Sequence, residues 1–432
     1  MNAENEVASP KGSPGQFGKL DYLKITVLGF ALTSLWSSLH TIILPLRLLD
    51  FVPESQKNTY LDMLILTGLL LAFFVQPIAG ALSDSFKSSW GRRRPFILVG
   101  TVAVIIFTFG IGIYAGYAAV FVIYCAMQVA SNVAQGPYQA FIPDLVPENK
   151  RGRAAGVRGF LLILGGVLLV RVTAIFMTHY PADKSGLWLS LVVLVILVAI
   201  ALIFTLFSIR EQPWPGKSVS PRNAVLNSFK VDLRARPQFI PFLIASFLIF
   251  IAWNTLMAHA LYYFKDMTGV ASPAAATGDL VLTMGAAMLV VVFFAGWLSD
   301  KIGHRSVAIG AGFMGAIGTV ALFFSTGYWQ ILLSGVLLGM CAGAWLSSQW
   351  ALATDLVGKT EAGKYIGIVN MAVAGAGAAS RLIGPLIDTL NHHSFGLGYQ
   401  VMLLACFVYF ITGSILLIRV KIRPDISPNP AI

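Results

Sequence analysis

Two halves of this 432-residue chain carry the same short phrase in nearly the same register. Residues 80–84 read Gly-Ala-Leu-Ser-Asp, and residues 296–300 read Gly-Trp-Leu-Ser-Asp, 216 positions later. An Asp-Leu-Val motif begins at Asp144 and again at Asp355, 211 positions later. Each Ser-Asp phrase follows a long apolar run. This register predicts a duplicated helical bundle.

The composition places the chain in a membrane. Hydrophobic residues make up 57% of it, charged residues only 11%, and the mean hydropathy is +0.77. Soluble domains carry roughly 25% charged residues, and a spanning helix needs about 20 apolar ones. The apolar runs predict twelve spans, at residues 24–50, 59–83, 95–113, 117–140, 154–178, 186–209, 238–264, 277–299, 305–325, 328–352, 363–388 and 396–419.

The predicted fold is an all-α membrane protein with twelve transmembrane helices in two parallel-repeat six-helix bundles. Each half has an even number of spans, so both copies of the Ser-Asp loop lie on one side of the membrane. The predicted divisions are a cytoplasmic tail (1–23), an N-terminal six-helix bundle (24–209), a Pro-rich basic cytoplasmic linker (210–237), a C-terminal six-helix bundle (238–419) and a second cytoplasmic tail (420–432).

Lys and Arg residues collect in alternate loops, which predicts the orientation. The basic side includes the run at 92–94 and the linker, whereas the other side has Lys57, Lys184 and Lys265. Both termini are therefore expected in the cytoplasm of a plasma-membrane protein. The net charge of +11 is interpreted as anchoring at an anionic lipid bilayer, and no nucleic-acid partner is expected.

The repeated loops, Gly-x-x-Ser-Asp-x-x-Gly-x-Arg in outline, resemble the signature of the major facilitator superfamily. Two segments resemble the sucrose:proton symporters and related glycoside:cation symporters. They are residues 80–95, which end in Gly-Arg-Arg-Arg-Pro, and residues 131–137, which read Ser-Asn-Val-Ala-Gln-Gly-Pro. The resemblance covers the whole chain. It implies a secondary transporter of a sugar or glycoside that works by alternating access, with no enzymatic step, no metal and no other cofactor.

Charged residues at helix ends are candidates for a conformational gate. A carboxylate there can pair with a guanidinium group or cap a neighbouring helix, and the resemblance implies that such contacts hold the cytoplasmic face shut. Charged topology anchors are the alternative. Intramembrane ionisable groups are also functional candidates, and those identified are His40, Arg171, His259, Arg381 and Asp388. Arg381 and Asp388, two turns apart, suggest an outer gate or a snorkelling pair, with substrate binding as the alternative. The full gate set is Asp84, Arg92, Arg93, Asp144, Asp300, Arg305, Arg171, Arg381 and Asp388.

Four amides recur at spacings of four, three and four in the fourth predicted helix and so share one face. Unpaired amides facing lipid cost several kcal/mol, so the stripe either joins helices or lines a cavity. The resembled fold places its first, fourth, seventh and tenth helices around a pore, where indole rings and amides suit a sugar. The predicted substrate-binding residues are Trp36, His40, Gln128, Asn132, Gln135, Gln139, Trp253, Asn254, His259, Trp345, Ser348 and Gln349.

The chain departs from the plant sucrose symporters at two positions. Those proteins carry an Asp seven residues before the Gln of Gln-Gly-Pro and an Arg two residues after the Pro. Here the two positions hold Gln128 and Gln139. The expectation is a monomeric uniporter. The alternatives are a proton symporter that uses His40, an exporter or flippase of an amphipathic compound or lipid, and a sensor on a transporter scaffold.

Overall fold

A computed structural model describes residues 18–86, 88–209, 237–357 and 362–420. Most of the predicted linker and both tails lie largely outside these ranges, so the predicted division into bundles stays a prediction. The described residues contain no strand. Twelve helices are long and apolar enough to span a membrane: α1 (Lys19–Leu48), α2 (Glu54–Asp84), α3 (Arg94–Ile113), α4 (Tyr117–Leu145), α5 (Glu148–His179), α6 (Ser185–Ser208), α7 (Phe239–Met267), α8 (Pro273–Ile302), α9 (His304–Phe323), α10 (Tyr328–Val357), α11 (Gly367–His393) and α12 (Leu397–Arg419).

The prediction of twelve all-α spans is confirmed, but several helices run past their predicted ends. Helix α2 begins at Glu54 and not at 59, and α11 ends at His393 and not at 388. Hydropathy detects the segment that must lie in hydrocarbon, whereas a helix can continue into the interface. This difference brings polar residues near helix ends into the bundle.

Helix α11 is interrupted near its middle. A 3₁₀ turn at Ser380–Leu382 precedes a new helical segment, Gly384–His393, that carries Pro385 in its first turn. Proline has no N–H to donate and its ring clashes with the preceding turn. The interruption leaves the backbone N–H of Gly384 free to bond outside its own helix.

Helices α1–α6 form the first half and α7–α12 the second. We define the basic face by the helix ends near 84–94, 145–148, 302–304 and 357, and the opposite face by the ends near 48–54, 113–117, 179–185, 267–273, 323–328 and 393–397. The halves meet mainly where α2 packs on α11 and α5 packs on α8. Arg171 of α5 and Asp279 of α8 form a 2.8 Å ion pair there.

Within the first half, Gly136 lets α4 approach the backbone of α2. A Cβ atom at this position would lie 2.6 Å from the Gln76 carbonyl oxygen. Gly136 therefore allows α4 and α2 to pack backbone to backbone. Helix α4 packs along α2 and α3, and not along any helix of the second half.

We expect Gly136→Ala to destabilise the protein by about 1–3 kcal/mol, because the added methyl group meets backbone that cannot rotate away. The measurement is the free energy of unfolding in mixed micelles. Gly80→Ala is the matched control, since a Cβ atom there meets nothing within 4 Å. Equal effects of the two substitutions would contradict the close approach.

Candidate substrate site and gate

The α4 amides form a network inside the first half. Gln128 Nε2 donates to the Tyr124 hydroxyl at 2.8 Å, and Asn132 Nδ2 donates to the Gln128 carbonyl at 2.8 Å. Gln135 Nε2 donates to Ser131 Oγ at 2.8 Å. The Asn132 and Gln135 side-chain oxygens accept no hydrogen bond among the described residues. The stripe therefore keeps unused acceptors.

Helix α1 joins this network through a widened turn. Residues Leu39–Ile43 form a π-helical turn just before Pro45, which cannot donate to the carbonyl four residues earlier. His40 lies in that turn, and its Nε2 atom is 2.9 Å from the Tyr124 hydroxyl. One turn earlier, Trp36 Nε1 donates to Ser131 Oγ at 2.9 Å. Wide turns of this type are frequent at functional sites.

The second half presents two buried donors on α10. Trp345 Nε1 and Gln349 Nε2, four residues apart, find no hydrogen-bond partner among the described residues. The two side chains are 3% and 1% exposed. On α7, Asn254 Nδ2 donates to the Phe250 carbonyl of its own helix at 2.7 Å. A buried donor without a partner costs about 1–3 kcal/mol, so α10 is suited to a ligand with acceptor groups.

The predicted substrate residues do not all gather at one place. The structure brings Trp36, His40, Gln128, Asn132 and Gln135 together. Gln139 is exposed at the basic end of the α4 stripe, and Ser348 Oγ donates back to Ala344 of its own helix at 2.8 Å. Trp253 is half-buried on α7. Their contact with substrate stays a prediction.

His259, also predicted to bind substrate, lies in a different cluster that crosses the two halves. Its Nε2 atom is 3.1 Å from Oδ2 of Asp62 on α2. The same Asp62 accepts from the Gly384 N–H at 2.9 Å and from Arg381 at 3.4 Å. Asp62 and His259 are fully buried. We call Asp62, His259 and Arg381 the lock.

The lock lies about 12 Å from the opposite face, since Asp62 is eight residues into α2 at 1.5 Å per residue. Closer to that face, Asp388 accepts from Asn58 Nδ2 at 2.8 Å and from the Thr59 N–H and hydroxyl at 2.7 Å. Arg381 and Asp388 thus do not form the snorkelling pair that was one alternative from the sequence, and an outer gate or a substrate-binding role for them stays a prediction. Because α11 breaks between them, Arg381 faces Asp62 instead.

Two further ion pairs join the halves at the opposite face. Lys57 Nζ lies 2.6 Å from Asp266 Oδ1, and Lys265 pairs with Glu54 at the rim. Among the described residues, every hydrogen bond and ion pair between the halves lies on this side. We call these contacts, together with the lock, the polar seam. The structure is the state that is closed at the opposite face.

The first Ser-Asp loop does not cross the halves in this state. Arg93 Nη2 lies 3.1 Å from Asp84 and 2.8 Å from Asp144, and Arg92 lies 2.6 Å from Asp144. Arg93 also donates to the Pro137 carbonyl at 3.0 Å. These described contacts connect the ends of α2, α3 and α4 within the first half. Their predicted role in closing the basic face stays a prediction.

The second Ser-Asp loop uses different chemistry. Arg305 donates to the Leu417 carbonyl at 3.0 Å and to that of Ile418, so it joins α9 to α12. His304 Nδ1 is 2.8 Å from Ser299 Oγ. Asp300 is exposed and makes no ion pair with a described residue. His304 Nε2 lies 3.9 Å from Asp355 Oδ2, at the positions equivalent to Arg92 and Asp144, so the repeat keeps this one contact while its other contacts differ.

Sequence reasoning missed Asp62, which has the most partners across the halves. It lies in the predicted span 59–83 and belongs with the intramembrane ionisable residues His40, Arg171, His259, Arg381 and Asp388. A count of every charged residue within each span would have found it. No sequence pattern links Asp62 to His259, which follows 197 positions later.

A family model for MFS/sugar transport proteins matches residues 29–389. The chain belongs to this family. By structure, this transporter is similar to a D-xylose-proton symporter, with a TM-score of 0.70, 17% sequence identity and coverage of 94% of this chain and 98% of that one. At this identity the likeness concerns the fold, and it agrees with the predicted major facilitator architecture.

Two curated relatives give the sequence context of this transporter. A sucrose transport protein of Arabidopsis thaliana is 36% identical over 129 residues, which cover 26% of this chain and 25% of the relative. The glucuronide carrier protein homolog of Escherichia coli (strain K12) is 24% identical over 322 residues, which cover 70% of this chain and 67% of the relative. The match to the sucrose transporter thus spans only about a quarter of that protein.

We expect Tyr124→Phe to lower the free energy of unfolding of this transporter by about 1–3 kcal/mol, because Gln128 loses the acceptor for a buried amide. The measurement is unfolding in mixed micelles. Tyr114→Phe is the control, since Tyr114 is 54% exposed and its hydroxyl makes no described hydrogen bond. A change of less than about 0.5 kcal/mol for Tyr124→Phe would mean that this hydrogen bond contributes little.

Proposed function

We propose that the protein carries a sugar or glycoside across the cytoplasmic membrane by alternating access between its two halves. The observation that carries this proposal is the pair of buried, unpartnered donors on α10, Trp345 Nε1 and Gln349 Nε2. Sugar hydroxyls accept as well as donate, so they can satisfy these groups. The family and the two curated relatives support the same substrate class.

The first half supplies the complementary groups. Asn132 and Gln135 offer side-chain oxygens that accept no described hydrogen bond, and Asn132 lies near the middle of α4 as Trp345 does on α10. Trp36 is half-buried beside them. An indole face can stack on the C–H face of a sugar while neutral amides bond its hydroxyls. Neutral groups on both halves suit an uncharged polyol.

Alternating access requires contacts that close one face at a time. The polar seam closes the opposite face, whereas α4 makes no extended contact with the second half. We propose that the basic face is cytoplasmic, that both chain ends lie there and that the protein is a monomer in the plasma membrane. The excess of Lys and Arg in loops on this face supports the orientation.

The coupling ion is part of this proposal. Gln128 and Gln139 favour uniport, because they leave α4 without the ionisable pair of the plant symporters. The lock supplies an ionisable pair, Asp62 and His259, at the contact between the halves. His40 lies at a similar distance from the opposite face. This pair leads us to propose proton-coupled uptake in preference to uniport, exporter or flippase activity.

A screen of purified protein against mono-, di- and trisaccharides should find a stabilising ligand, with a gain of about 2.7 kcal/mol at 100 times its Kd. We expect Gln349→Leu to abolish that gain without destabilising the ligand-free protein, since it removes an unpartnered buried donor. Thermal unfolding with and without the saccharide measures both effects.

Gln400→Leu, near the start of α12 and outside the predicted site, is the matched control for this prediction. It makes the same change at an exposed amide and should leave the ligand's stabilisation intact. If Gln349→Leu destabilises the free protein and retains the gain, Gln349 is a packing residue. If amphipathic compounds stabilise the protein and no saccharide does, the exporter or flippase alternative is favoured.

Proteoliposomes distinguish symport from uniport. With the saccharide found in the screen, we expect accumulation above the external concentration when the outside is acidic, and its collapse with a protonophore. A symporter accumulates its substrate because proton binding and substrate binding are thermodynamically linked. Equilibration to the external concentration, with the same final level at every pH gradient, would establish the uniport that Gln128 and Gln139 favour.

A further inference from the structure

The hydrogen bonds of His259 determine how many protons it holds. Its Nδ1 atom is 3.0 Å from the Thr255 carbonyl, and a carbonyl oxygen only accepts, so Nδ1 carries a hydrogen. Its Nε2 atom faces Asp62 Oδ2 at 3.1 Å. A neutral imidazole protonated at Nδ1 has a lone pair at Nε2. Facing a carboxylate oxygen, this lone pair requires one additional proton between the two atoms.

The charges of the polar seam lead to the same proton count. The carboxylates of Asp62, Asp266 and Asp388 are opposed by the cations of Lys57 and Arg381, which leaves one negative charge in excess. The Glu54 and Lys265 pair at the rim balances itself, as does the Arg171 and Asp279 pair between α5 and α8. An uncompensated buried charge costs several kcal/mol. One proton shared by Asp62 and His259 makes the seam neutral.

The other titratable groups near the lock do not supply this proton. The Tyr262 hydroxyl donates to the Pro45 carbonyl at 2.8 Å, and the Tyr399 hydroxyl donates to Asp266 at 2.7 Å. On the side of α1 and α4, His40 and Tyr124 contact each other and are near enough to Arg381 to interact with its charge. Their hydrogen bonds are directed away from Asp62.

Asp62 belongs to the first half, and its described partners all belong to the second half. When the opposite face opens, the carboxylate leaves His259, Arg381 and the Gly384 N–H and is solvated by water. In water at neutral pH these two side chains are ordinarily a carboxylate and a neutral imidazole. At neutral pH the separated pair therefore holds one proton fewer than the closed pair.

We propose that Asp62 and His259 form a proton-binding site that fills when the opposite face closes and empties when it opens. The Nε2 lone pair takes a proton from water on that side, with no other bond made or broken. Reopening before release returns the proton to the same water, whereas release toward the basic face while the opposite face is closed carries it across in the proposed symport. The inference rests on the proposed function only in treating this closure as a transport step. By reciprocity, a higher proton concentration stabilises the closed state.

The test measures closure directly and uses no sugar. Spin labels are attached at Ser55→Cys and Ser394→Cys, on opposite halves at the opposite face, after Cys125, Cys341 and Cys406 are replaced by Ala. Their distance distribution is recorded in lipid nanodiscs from pH 5 to pH 9. As the pH rises, we expect the ratio of the short-distance population to the long-distance population to fall by up to tenfold per pH unit. This is the limit for one linked proton.

Asp62→Asn should abolish this pH dependence and keep the short distance throughout. With its nitrogen in the place of Oδ2, the amide donates to His259 Nε2 and keeps an oxygen for Arg381, so it imitates the protonated pair at the cost of the Gly384 hydrogen bond, which uses the same Oδ2 atom. Asp279→Asn is the matched control, because it neutralises a carboxylate that joins the halves through Arg171, outside the lock and its charge count, and does not contact a histidine. It should change the closed fraction but preserve the slope with pH.

A pH-independent distance in the unsubstituted lock would overturn the inference. So would a slope in Asp62→Asn equal to that of the unsubstituted lock, since exposed His392 and His393 on α11 would then account for it. His259→Gln gives a second variant expected to lack the slope if Asp62→Asn does not fold. The saccharide screen decides the proposed function separately, because these measurements contain no saccharide.

Discussion

A carboxylate buried between the two halves of a membrane bundle is stable only while both halves surround it. Removing an ion from water costs several kcal/mol even after relaxation of the protein. Asp62 is offset by His259, Arg381 and a backbone N–H, all from the second half. Its own half provides none of these contacts. The free-energy cost of burying the Asp62 carboxylate therefore depends directly on the conformational state of the protein.

Local chain chemistry prepares the second half to receive this carboxylate. Pro385 interrupts α11, and the interruption frees the N–H of Gly384 at the start of a helical segment, where the helix dipole favours an anion. Gly384 has no side chain, and a Cβ atom there would lie 2.5 Å from Asp62 Oδ2. One Gly-Pro pair thus provides both the donor and the space for the acceptor.

The fold could be predicted from the sequence because the signals that specify it are local and repeated. Apolar run lengths gave the twelve spans, and the Ser-Asp repeat gave the duplication. The α4 amides were also predicted to share a face, since helical periodicity is a property of one segment. The pairing of Asp62 with His259 has no such signal: it depends on where the break in α11 places Arg381, and spacing alone suggested Asp388 as the partner.

The polar seam also determines what water does when the halves separate. Its members are carboxylates, ammonium and guanidinium groups, amides and hydroxyls, all of which water solvates well. A seam of leucines would have to be wetted against the hydrophobic effect each time it opened. Here hydration of the freed groups offsets much of the interaction energy that is lost. A closure made of polar groups can therefore be stable while water is excluded and still open at a modest cost in free energy.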